Sequence, residues 1–446
     1  MDVLGIIGIV VGLVLLVVLA FKGCSMLWVA PIAAIIVALM GGISLLPAYT
    51  DTYMSGFVNF VLQYFPMFML GAIFGKLMEV TGSASSIARI LSEKIGAKRA
   101  VIAIVICTAI LVYGGISLFV VSFAIYPIAI SLFRDANLPR RLIPGCIACG
   151  AFTFAMTAFP GSPQINNIIP TNYLGTTAMA APVLGIIGGV IMFVLGVLWL
   201  NRRAKKMTAD GEHFDEPTGA AAVSSGDETK QVNFVLAILP LIVVVAVLNV
   251  LPKLIDFGDN ESTYSIILAL LAGILLTLLL NIKTSGKLFL KAVNEGALSS
   301  LPATLNTSAV VGFGSVIKAI PAFAVLTAAI LGIEASPLIS EAISVMVIAG
   351  ATGSASGGLG IALEALGDKY LALADTLNIS AGVLHRVATM ASGCLDSLPH
   401  NGGVITILTV CGMTHKESYF DMAMTTVVIP IIATAVIVAL GMLGIG

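Results

Sequence analysis

Apolar runs of about 20 residues recur along nearly the whole chain, and about 20 is what a helix needs to cross a hydrocarbon core of roughly 30 Å. Residues 3–21, 26–46, 57–79, 141–158, 180–200, 233–251, 262–281, 303–317, 322–334, 380–397 and 420–445 each read as a full or partial crossing. Two further runs, 99–133 and 337–375, are too long for one crossing and long enough to enter and leave the bilayer as a helical hairpin. The one polar stretch, 201–231, opens with Arg202, Arg203, Lys205 and Lys206 and continues through Gly, Asp, Glu and Ser. Such a composition buries no core and reads as a flexible cytoplasmic linker between a first half, 1–200, and a second, 232–446. The pattern predicts an all-α polytopic membrane protein.

Composition sharpens this. The 446 residues are 59% hydrophobic and 10% charged, with a mean hydropathy of +1.08, whereas a soluble domain carries roughly 25% charged residues. A soluble enzyme, a secreted disulfide scaffold and a disordered regulator are excluded. A net charge of −1 leaves no nucleic-acid footprint. Cys146 and Cys149 form a C-x-x-C, but no second pair or nearby His completes a zinc site, and lipid-buried Cys behaves as a small hydrophobe. Neither metal nor cofactor is expected. Asp2 stands where a signal peptide would carry positive charge, so 3–21 reads as a retained first span.

Basic residues near helix ends favour the cytoplasm. With the N-terminus outside and seven crossings in the first half, Lys22, Lys94, Lys98, Arg99, Arg134, Arg140, Arg141 and the linker cluster fall inside. Lys253, Lys318, Lys369 and Arg386 are the exceptions. An odd number of crossings inserts the second half upside down. The halves also resemble each other: FPGSPQINNI from Phe159 and LPHNGGVITI from Leu398 lie 239 residues apart. At that offset Phe74-Gly75 meets Phe313-Gly314, Gly114 meets Gly353, and Ser117 meets Ser356. Matches in one order at one offset read as an inverted-topology repeat, the usual construction of secondary transporters.

Gly/Pro-broken backbone at membrane depth is tolerated only inside protein or along a cavity. Four such places occur: Tyr113–Ser117 and Thr352–Gly358 at the centres of the two hairpins, and the breaks at Pro160–Asn167 and Pro399–Gly403 within broken helices spanning about 141–175 and 380–412. Helix N-termini with unpaired N–H groups attract anions, and Ser and Asn add directional hydrogen bonds to carboxylate and hydroxyl. Gly114, Gly115, Ser117, Ser162, Pro163, Asn166, Asn167, Gly353, Ser354, Ser356, His400, Asn401 and Gly402 are the candidate substrate-binding positions. Gly71-x-x-x-Gly75 and Gly185-x-x-x-Gly189 read instead as helix-packing pairs.

Ionisable groups at membrane depth are costly and mark function. Asp396 and His400 flank the second break, where the first half has Thr157 and Gly161. A protonatable group beside an anion site is what proton coupling needs; His400 either carries that proton or only hydrogen-bonds substrate or backbone. Glu364 is a further candidate, Asp368 and Asp375 read as boundary residues, and His385-Arg386 as an interfacial pair mirroring Arg140-Arg141.

At these residues the chain resembles the gluconate:proton symporter family of bacterial permeases, within the broader ion-transporter superfamily. LPHNGGVITILTVCGMTHKESYFDM, from Leu398 to Met422, carries the likeness, supported by FPGSPQINNIIP and GATGSASGG. The resemblance implies an elevator-type homodimer in the bacterial inner membrane, surrounded by lipid. It also implies proton symport of a small hydroxylated monocarboxylate such as gluconate, glycerate or 3-hydroxybutyrate, with a leaning toward the hydroxybutyrate permease branch. It assigns hydrogen bonds to carboxylate or hydroxyl to Ser117, Ser162, Asn166, Asn167, Ser354, Ser356, His400 and Asn401. A sodium-coupled carboxylate carrier is the nearest rival, since carbonyl, Ser and Asn oxygens also suit Na⁺; an anion channel and a membrane enzyme are the others.

Overall fold

A computed structural model describes residues 2–22, 24–116, 118–217, 232–255, 257–258, 261–282, 286–323, 325, 336–399 and 401–446. Among the described residues there is no strand. The first half runs through α1 (Asp2–Phe21), α2 (Met26–Gly41), α3 (Leu45–Val80) and α4 (Ser83–Ile95), then α5 (Ala100–Tyr113) and α6 (Leu118–Asp135). It ends with α7 (Ile143–Ala151, followed by the π-turn Phe154–Ala158), α8 (Ile165–Leu174) and α9 (Pro182–Ala209). The second half comprises α10 (Phe234–Val250), α11 (Glu261–Leu280), α12 (Gly286–Ala319), α13 (Pro337–Thr352), α14 (Ala355–Thr376), α15 (Ala381–Ser392), α16 (Gly402–Cys411) and α17 (His415–Met442).

The two long apolar runs are helical hairpins, α5–α6 and α13–α14, whose arms pack on each other. A Cβ added at Gly358 would lie 2.2 Å from Ala349 Cα, so only glycine lets the α13–α14 arms approach this closely. The packing of the halves is reciprocal. α2 lies on α12 as α11 lies on α3, α8 lies on α14 as α16 lies on α6, and α8 lies on α15 as α16 lies on α7. Exchanging the halves maps each of these pairs onto the other. α3 against α12 and α9 against α17 pack as mates across the exchange.

Polarity along the helices is that of a lipid-facing protein. On α9 the outward face is Val183, Ile186, Val190, Val194 and Leu198, while Gly185, Gly188, Gly189, Met192 and Gly196 are buried. An exposed aliphatic stripe opposite a small-residue stripe is stable where the outer solvent is hydrocarbon. Gly189 packs against the Phe159 ring, but a Cβ at Gly71 would meet open space, so Gly71 is not a packing position, while Gly75 is buried.

Several boundaries differ from the sequence expectation. α12 begins well before 303 because its polar first turns find partners, Glu295 pairing with Lys291 at 3.7 Å and with Lys76 at 3.4 Å. α4 was hidden because its apolar residues, among them Ala84, Ile87 and Ala88, occupy one face of an otherwise polar helix. The expected span 322–334 lies largely outside the described residues. The polar stretch does not begin as flexible chain: α9 continues to Ala209, held by Arg203, which pairs with the buried Asp421 of α17 at 2.7 Å. Beyond it Asp215 pairs with Arg140 at 2.8 Å, Glu212 pairs with Arg141, and Glu216 pairs with Arg134, whose hydrogen bonds hold that carboxyl below its usual range. Residues 218–231 lie outside the described residues.

Candidate substrate site

Each hairpin tip sits on the helix break of its own half. α5 stops at Tyr113 and the chain turns through Gly115 at φ +98°, a conformation costly for a residue with a side chain. The break opposite contains Pro160, Gly161 (φ +77°), Ser162 and Pro163. Ser162 Oγ donates to Tyr113 O at 3.1 Å, Tyr113 Oη donates to Pro160 O at 2.8 Å, and Gln164 Nε2 donates to Val112 O. A Cβ on Gly115 would come 3.0 Å from Pro163 Cγ. In the second half α13 ends on Gly353 (φ +60°), and Ser354 caps α14 by accepting from Gly357 N at 3.1 Å. Asn401 Nδ2 donates to Gly353 O at 2.8 Å while its Oδ1 caps α16 by accepting from Val404 N at 2.9 Å. Ser162 and Asn401, 239 residues apart, thus latch equivalent tips.

The two breaks also meet each other. A Cβ on Gly403 would lie 2.5 Å from Leu118 Cδ2 of the first hairpin and 2.6 Å from Phe152 Cζ. Gly393 faces Thr157, and Asn166 Nδ2 lies 3.5 Å from Ser392 Oγ. The N-terminus of α8 has no side-chain cap; Asn167 N donates to Gln164 O at 2.9 Å, which leaves the N–H groups of Ile165 and Asn166 for a ligand. A Cβ at Gly402 would meet open space, and Ser354 and Ser356 hydroxyls lie 3.5 Å apart at the second tip. Gly114 faces elsewhere: a Cβ there would come 2.3 Å from Leu241 Cδ2 of α10, so it makes room for that helix. Ser117 and His400 lie outside the described residues.

Asn167 has a different task from the one its position suggests. Its Nδ2 donates to Ser162 O and Ala178 O, both at 2.9 Å, and its Oδ1 accepts from Arg386 Nη1 at 3.1 Å. His385 Nε2 lies 3.3 Å from the same oxygen, which can only accept, so Nε2 carries the proton. Nδ1 then accepts from Thr176 Oγ1 at 2.7 Å. Both hands of the amide are occupied, and Asn167 is a strut that shapes the break.

His385 and Arg386 are not interfacial: both are 0% exposed. Arg386 fits because Gly185 has no side chain; a Cβ there would lie 3.1 Å from Nε and 2.5 Å from Ala158 O. The guanidinium donates to Ala158 O at 2.9 Å and to Ala180 O at 2.8 and 3.2 Å, all neutral acceptors. Among the described residues no carboxylate pairs with it. Burying a guanidinium without an anion costs several kcal/mol.

Two carboxyl groups are likewise enclosed. Asp396 is 1% exposed, with Oδ1 lacking a hydrogen-bond partner. Glu341 on α13, which the sequence reading passed over, is 0% exposed with neither oxygen hydrogen-bonded. An isolated acid inside the apolar run 337–350 was the available signal. Glu364, the further proton-coupling candidate, is partly exposed and ion-paired with Lys318 at 3.7 Å.

Apolar-faced helices, paired hairpins and breaks that converge on one polar interior define an all-helical, multi-pass membrane transporter. The chain belongs to the GntP family permeases, whose family model matches residues 3–443. It is similar to the uncharacterized transporter YxjC of Bacillus subtilis (strain 168), at 42% identity over 94% of this chain and 95% of that protein. It is also similar, at 31% identity over 36% of each chain, to the high-affinity gluconate transporter of Escherichia coli (strain K12). Its fold resembles the crystal structure of the Alcanivorax borkumensis YdaH transporter, with a TM-score of 0.59 and 14% identity over 90% of this chain and 89% of that one. The family and its bacterial relatives make this a multi-pass protein of the inner membrane.

Proposed function

We propose that this permease carries a small hydroxylated monocarboxylate of the gluconate, glycerate or 3-hydroxybutyrate kind into the cell by proton symport. Two oppositely inserted halves hold the anion between the hairpin tips and the helix breaks, and the loaded domain shifts across the membrane as an elevator within a homodimer. The observation that carries this reading is the buried Arg386 without a carboxylate partner beside the first break. Such a cation favours a ligand of one negative charge, while the Ser and Asn groups around it suit hydroxyls. The gluconate transporter among the relatives supports that substrate class, and the enclosed Asp396 and Glu341 supply protonatable sites.

The experiment is uptake of gluconate, glycerate and 3-hydroxybutyrate into proteoliposomes in sodium-free buffer, driven by an imposed pH gradient. Accumulation of one of them is expected; accumulation that requires sodium, or none at all, defeats proton coupling. In the same assay Ser162→Ala and Asn401→Ala each raise KM several-fold with folded protein retained. The loss of the Asn401 cap costs about 1 kcal/mol, too little to unfold the protein. Unchanged KM in both variants removes the tip–break junction from substrate binding.

A further inference from the structure

A cavity of about 890 Å³ lies away from the tip–break junction, between α3, the end of α8 and the start of α11. Asn59 and Gln63 line it from α3, Asn172 and Thr176 from the α8 end, and Thr263 from α11. Among the described residues no charged side chain lines it. In the orientation set by the basic residues, all three lining segments are at the outer face.

The reciprocal packing places an equivalent location at the other end of the molecule, around Thr414, where a smaller cavity of about 240 Å³ is lined by charged residues, among them Arg140, Asp215 and Glu417. There Thr414 N and Oγ1 both donate to Glu417, at 2.7 and 2.6 Å, and His415 Nε2 lies 2.8 Å from Pro399 O. Arg140 reaches over it to Cys411 O at 3.0 Å while pairing with Asp215. The two ends therefore differ in size and charge: the outer cavity is the larger and, among the described residues, is lined by neutral groups.

Its floor leads inward. Thr176, on the cavity wall, donates to His385, which donates to Asn167, which also accepts from Arg386. Among the described residues Arg386 meets only neutral oxygens, so its positive field extends toward the Thr176 end of the cavity. In low-dielectric surroundings that field is weakly screened. The remaining lining offers amides and hydroxyls, which match the hydroxyl groups of a short polyol or hydroxy acid.

We infer that this cavity is an outer docking site, where a hydroxylated carboxylate rests with its carboxylate toward the Thr177 hydroxyl, which accepts from Met179 N at 3.3 Å and keeps its own proton to donate, before it reaches the first break. The inference rests on the transport reading and adds the place of first recognition. Its consequence is a division of labour: cavity residues set apparent affinity, and the tips and breaks set turnover.

Two readouts test it in the full-length protein. In proteoliposomes Thr177→Val raises KM for the carried hydroxy acid about tenfold, and Gln63→Leu raises it about threefold, both with kcat within twofold of the unaltered protein. KM unchanged in both, or kcat lowered at constant KM, overturns the docking site. For the second readout Gln63→Cys is labelled in intact cells from outside with a membrane-impermeant maleimide. Cys24, the single native cysteine that is not buried, is first replaced by Ser. Rapid labelling that is slowed by gluconate, glycerate or 3-hydroxybutyrate, whichever the protein carries, is expected. Uptake without protection overturns the docking site and leaves the transport reading intact; neither uptake nor protection with any of the three overturns both.

Discussion

Asp396→Asn yields a protein that exchanges substrate across the membrane but no longer accumulates it against a pH gradient. Asp396 sits in the turns that follow α15, enclosed, with one carboxyl oxygen unpartnered among the described residues and with Ser397 beside it tied to Thr426 Oγ1 at 2.7 Å. An amide keeps the shape of the side chain but cannot take up and release a proton. A gradient of one pH unit is worth about 1.4 kcal/mol per proton, about tenfold in concentration. The unaltered protein therefore sustains an inside-to-outside ratio up to about ten, and the Asn variant settles near one while counterflow persists. Intact accumulation in Asp396→Asn clears this residue of the role. Glu341→Gln is the matched comparison: if it alone loses accumulation, the coupling proton resides on the hairpin arm.

Arg386→Met has the second large effect, on affinity rather than coupling. At about 8 Å and an effective dielectric constant of about 20, two unit charges interact by roughly 2 kcal/mol, about thirtyfold in affinity. Met leaves Ala158 O and Ala180 O without their donor, while Asn167 Oδ1 keeps the His385 donor. An unsatisfied buried acceptor costs about 1–3 kcal/mol. Removing an unpaired buried cation acts in the opposite sense and by a similar amount. The melting temperature thus moves modestly while substrate-induced stabilisation largely disappears, which a thermal-shift titration measures directly. Arg386→Lys keeps the charge but not the fork of donors and recovers part of the affinity. Folded Arg386→Met protein with unaltered affinity contradicts the role.

How much of this was written in the sequence depends on the kind of contact. The hairpins were legible because apolar runs too long for one crossing carry glycines at their centres, and the breaks because Pro160, Pro163 and Pro399 interrupt apolar runs without any polar face to account for them. The latching of Ser162 and Asn401 was foreshadowed by their shared offset. The task of Asn167 was not, because an amide bound to main-chain carbonyls is indistinguishable in sequence from one facing a ligand. Arg386 was hidden for the same reason: its partners are the carbonyls of two alanines, and every residue carries a carbonyl. Its only trace was an exception in the distribution of basic residues. The outer cavity is formed by positions from three distant segments, none of which carries a motif. α4 escaped because apolar run length registers crossings and overlooks a helix with one buried face.

The most direct measurement is a structure of the full-length protein with its hydroxy acid bound. The account predicts the carboxylate at the junction of the Gly115–Pro163 and Gly353–Asn401 contacts, within reach of the uncapped α8 N-terminus. A ligand occupying any other part of the molecule, with that junction left empty at saturating concentration and the outer cavity excepted, contradicts it.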